Sequence, residues 1–72
     1  DKGDPASFRK LLELLNVSAE ECTFFDDSVK SCRSAKSVGM TVIGVYDPLF
    51  HDLRDEMRSV CDRYIESFQE ML

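Results

Sequence analysis

The residues best placed to do chemistry are Asp26 and Asp27, adjacent carboxylates that end the apolar run Cys22-Thr23-Phe24-Phe25. Acids delivered to the carboxyl end of a strand stand where open α/β sheets bind ligands. Two carboxylates that close repel each other. A hard cation such as Mg2+ relieves the repulsion, takes oxygen ligands, and keeps waters and a substrate phosphate in its shell. Ser28 follows directly and opens a helical pattern, whose N-terminus adds donors and a positive dipole end. The competing reading is structural: Asp27 caps that helix and Asp26 is solvated. Lys2, just ahead of the helix start Asp4-Pro5, either holds a phosphate as a point charge or is a solvated lysine. Lys30, Arg33 and Lys36 share one side of the helix and read as a solvated face. His51, the only histidine, has no acid or cysteine at catalytic spacing and reads as a surface residue. No Ser-His-Asp or Cys-His arrangement can be assembled.

The elements that would position these side chains follow from periodicity. Asp4-Pro5 is an acidic N-cap followed by proline at the first helical position. Phe8, Leu11, Leu12 and Leu15 then recur at helical spacing, which predicts a helix over residues 5–15 with one apolar face. Asn16 supplies a stop, and Ser18-Ala19-Glu20-Glu21 has the capping-box pattern of a single turn. Residues 22–26 and 41–45 are continuously apolar, as strands covered on both faces are. Between them Val29, Cys32, Ala35 and Val38 mark the inner face of a helix that Gly39 ends. Strand, helix, strand is a βαβ unit. The tail allows either one helix over residues 50–72 or a helix, an edge strand at Arg63-Tyr64-Ile65 and a last helix capped by Ser67. The Ser67/Glu70 pair favours the break.

Composition bounds the class. A chain of 72 residues buries only roughly 60% of its unfolded surface, so it is a marginal domain or part of a larger one. The start at Asp1, without methionine, fits a piece of a longer chain. A net charge of −5 argues against nucleic acid, which wants a basic face, but leaves room for a small phosphorylated ligand. Cys22, Cys32 and Cys61 form neither a Cys-x-x-Cys pair nor a Cys/His cluster, which points to reduced thiols and a cytoplasmic protein. No apolar run approaches the ~20 residues that span a bilayer.

Taken in order, Lys2-x-Asp4-Pro5, Phe24-x-Asp26-Asp27-Ser28, Ala35-Lys36-x-x-Gly39-Met40 and Val42-Ile43-Gly44-Val45 resemble the C-terminal part of the haloacid dehalogenase superfamily of phosphohydrolases. The closest likeness is to the phosphoglycolate phosphatase and β-phosphoglucomutase type. The resemblance is close over residues 1–47 and loose in the tail. It implies an α/β fold: the C-terminal βαβ half of a Rossmann-like parallel sheet. It also implies Mg2+ and hydrolysis of a small phosphomonoester through an aspartyl-phosphate intermediate. By position, Lys2 matches the lysine that steadies the phosphate, and Asp26 and Asp27 match the acidic pair at the metal. Ser31 stands where many members carry Asp or Asn. The nucleophile motif Asp-x-Asp-x-Thr/Val, the Ser/Thr phosphate strand and the cap are not in this sequence. The chain alone is therefore expected to be inactive and to work docked on the remainder of a parent enzyme. The rival expectation is a non-catalytic interaction or structural module that retains the half-sheet.

Overall fold

A computed structural model describes residues 3–71. Three parallel strands, β1 (Thr23–Asp26), β2 (Thr41–Val45) and β3 (Arg63–Ile65), lie in the sheet in chain order. Three helices, α1 (Pro5–Leu15), α2 (Val29–Ser37) and α3 (Arg54–Val60), precede or connect them, so both connections are of βαβ type. Short 3₁₀ turns fill Ala19–Glu21, Pro48–Leu53 and Phe68–Met71.

The local signals act as the sequence predicts. The Asp4 carboxylate accepts the Ser7 N–H at 2.8 Å, Pro5 occupies the first turn, and Asn16 ends α1 in the left-handed region at φ 55°. Ser18 donates through its N–H and hydroxyl to Glu21 at 3.1 and 2.8 Å, which sets the turn that feeds β1. Ser28, rather than Asp27, caps α2: its Oγ accepts the Ser31 N–H at 3.3 Å. Gly39 follows α2 at φ +98°, where a side chain would be strained. In the tail the helix does break. Cys61 leaves helical geometry, β3 pairs with β2 from Ile43↔Arg63 to Val45↔Ile65, and Glu70 accepts the Ser67 N–H at 3.1 Å.

The helical layer covers one face of the sheet. Phe8, Cys32, Ala35 and Met57 from the helices meet Val42, with Phe24 and Tyr64 packed against them. Phe8 and Phe24 form an edge-to-face pair with centroids 4.8 Å apart. Gly44 belongs to the same face. A Cβ there would stand 2.8 Å from Cys61 Sγ and Met57 Cε, so glycine lets α3 approach the central strand. The shortest molecular axis, 17 Å, has room for these two layers and not a third.

Two expectations need correction. Strand β1 is not covered on both faces: Thr23 and Phe25 are exposed, while Phe24 and Asp26 are half-buried. Helices α1, α2 and α3 all lie on the Phe24 side; β2, by contrast, is buried on both faces, at Val42 on the helical side and at Ile43 on the other. The α1 stripe is also mostly uncovered. Phe8 is buried and Leu12 half-buried, but Leu11 and Leu15 are 47% and 59% exposed, because α1 lies at the β1 margin. Helical spacing put the leucines on one face correctly; it could not say how much of that face has a neighbour.

The basic stripe of α2 is partly an anchoring device. Arg33 pairs with Glu56 at 2.7 Å, and Lys36 pairs with Asp62. The other oxygen of Asp62 accepts the Val42 N–H at 2.8 Å, and the Asp62 N–H donates to the Val42 carbonyl at 2.9 Å. One aspartate thereby fastens the entry of β3 to the start of β2 and to α2. Among the described residues, no helix is long and apolar enough to cross a membrane.

Candidate functional site

Asp26 and Asp27 lie at the carboxyl end of β1, as the apolar run predicts. The Asp26 carboxylate turns back on the next loop and accepts the Ser28 N–H at 3.2 Å. Its backbone carbonyl faces the Cys32 thiol, 3.7 Å away in α2. Asp27 points to a partner that the sequence does not announce. The carboxyl of Asp47, just past the end of β2, is near enough to raise that of Asp27.

Partial burial lifts Asp27 above the usual carboxylate range, reinforced by the nearby Asp47 and the charge of Asp26. Asp47 also accepts the Leu49 N–H at 2.9 Å, so the residue that meets Asp27 is held by the turn it caps. The missed signal was Asp47-Pro48, which repeats Asp4-Pro5 at a strand end. Its meeting with Asp27 depends on the parallel register Asp26↔Gly44, and only the fold reveals that.

Asp27 and Asp47 suit a hard cation by their chemistry, since a cation between carboxylates relieves their repulsion. They do not make a closed cage. Among the described residues, no group of three or more His, Cys, Asp or Glu side chains is arranged to hold a metal ion. Any cation here takes the rest of its shell from water, substrate or other protein groups.

Lys2 lies outside the described residues. Its neighbour Asp4 does bear on the site: the Asp4 carboxyl is lowered chiefly by its bonds to Ser7, with a smaller pull from Lys30 in the first turn of α2. The starts of α1 and α2 are thus neighbours at the end of the sheet where Asp26 and Asp27 emerge. Cysteine chemistry is disfavoured. Cys32 is fully buried and Cys61 half-buried, and burial pushes both thiols up, which keeps them protonated near neutrality. His51 is exposed, with Tyr46 Oη 3.2 Å from its Nδ1.

No family model matches the chain and no solved structure matches it. A functional assignment therefore rests on the motifs and on this geometry.

Proposed function

We propose that this chain is the C-terminal part of the core domain of a Mg2+-dependent phosphohydrolase of the haloacid dehalogenase type, acting on a small phosphomonoester. The observation that carries the reading is the placement of Asp26, Asp27 and Asp47 at the carboxyl ends of neighbouring parallel strands. Such a position attracts a hard cation and, through it, a phosphoryl group. Mg2+ supplies charge stabilisation of the phosphoryl oxygens when bound. Asp27 holds the cation and Asp26 orients the loop through Ser28. Lys2, ahead of the helix start that neighbours α2, meets the phosphate as a preorganised charge. The nucleophilic aspartate comes from outside these 72 residues, so the aspartyl-phosphate intermediate forms only in the parent enzyme.

The test is Mg2+-dependent hydrolysis of a panel of small phosphomonoesters by the parent enzyme. Asp27→Asn should abolish Mg2+-dependent turnover, and Asp26→Asn should cost less. Lys2→Ala should lower kcat/KM by roughly 10²-fold or more, as for loss of a charged contact to the transition state. Near-normal turnover of the Asp27 variant at limiting Mg2+ would end this reading.

A further inference from the structure

The arginines of this chain differ in what they meet. Arg33 has Glu56, Arg63 donates to the Glu70 carbonyl at 3.1 Å, and Arg58 lies over the Tyr64 ring, 5.5 Å from its centroid. Arg54 is half-buried and, among the described residues, has no carboxylate within ion-pair distance. Its guanidinium reaches His51 Nε2 at 3.5 Å, and its Nε is buried with no hydrogen-bond partner. A partly desolvated guanidinium without an anion is costly, and its planar donors match an oxyanion. His51 in turn is held by Tyr46, so Tyr46, His51 and Arg54 form a chain that starts at the end of β2.

From this arrangement we propose that Arg54, positioned by His51 and Tyr46, is a subsite for an oxyanion: the carboxylate or phosphate end of a small ligand. The depression beside it is about 210 Å3, lined by His51, Asp52, Arg54 and Asp55. That volume suits one charged group rather than a whole ligand. A larger hollow of about 450 Å3, at Arg33 and Lys36, is a poorer choice because Glu56 and Asp62 already pair with both cations. Asp52 and Asp55 flank Arg54 without pairing with it, and they oppose an anion, so the site binds its anion modestly. Tyr46 and Asp47 leave β2 together, one toward this subsite and the other toward Asp27. The oxyanion site needs no metal, and its test is separate from that of the phosphohydrolase reading.

The experiment is equilibrium dialysis of radiolabelled inorganic phosphate against the full chain in EDTA, which does not depend on its assembly state. Arg54→Gln should weaken binding by at least about tenfold, and Arg54→Lys should restore part of it. The double change Asp52→Asn/Asp55→Asn should tighten binding by roughly threefold or more, a gain that misfolding cannot produce. Competition by acetate then ranks carboxylate against phosphate as the natural group. Equal retention by the parent and Arg54→Gln chains would overturn the proposal, as would no retention up to about 10 mM phosphate, where even a weak site with a millimolar Kd fills. Loss of binding on Asp27→Asn, with Arg54→Gln unaffected, would also overturn it by moving the anion to the acidic loop.

Discussion

Asp27 sets stability and function against each other. Its carboxyl is raised by burial, by Asp47 and by Asp26, so the folded state holds a proton that the unfolded chain releases at the ordinary value of 3.8. Below that value the group costs nothing; as pH rises through and above it, the folded state loses stability until Asp27 ionises. In the absence of divalent cation, Asp27→Asn should therefore raise Tm by a few degrees at pH 7 and leave it nearly unchanged at pH 3, by calorimetry. The same change removes the ligand on which the phosphohydrolase reading depends. A lower Tm at pH 7 would mean that Asp27 is chiefly a structural acceptor. The acidic pair was legible in the sequence because a strand ending in Asp26-Asp27 needs only local pattern. Asp47 was not, because its partner is 20 positions away and is found only once β1 and β2 are in register.

At the scale of elements, Gly44 controls how closely α3 seats on the sheet. A Cβ at this position would meet Cys61 Sγ, Met57 Cε and Tyr64 Cδ1 within 2.9 Å. Gly44→Ala should destabilise by about 1–3 kcal/mol, as overpacking does, despite the better strand propensity of alanine. Chemical denaturation measures this directly, and a neutral result would mean that α3 shifts freely. Helix α1, the α2 caps and the broken tail were each readable, since caps and stops act within a few residues. The covering of β1 and α1 was not. Phe25 and Leu11, Leu14 and Leu15 have the apolar character of buried positions, and only the one-sided helical layer explains their exposure.

For the whole molecule, acid is the weak condition. Asp4, Glu21, Asp62 and Glu70 are all held below their ordinary values: by Ser7 and Ser18 for the first two, by Lys36 with Val42 for Asp62, and by the Glu66 and Ser67 amides for Glu70. Depressed carboxyls stabilise above their ordinary values of 3.8 and 4.5, and that stability is lost as pH falls through the folded values. Tm should drop steadily below about pH 4, and Asp62→Asn should flatten the drop while lowering Tm at neutrality. A pH-independent Tm between 6 and 2 would refute the four assignments together. Association is the second whole-molecule expectation. No strand among the described residues pairs with the outer edge of β1, and Phe25 stands exposed beside it. The isolated 72-residue chain should sediment with concentration-dependent mass, as open sheet edges do. A monodisperse monomer would favour the independent-module reading. The strand order has a further consequence, in the timing of synthesis. Because β1, β2 and β3 lie side by side in the order they leave the ribosome, each strand finds its neighbour already made. The Asp62 fastening closes last, after Val42 and Lys36 have emerged, so a nascent chain halted before residue 62 can hold the first βαβ unit but not the third strand.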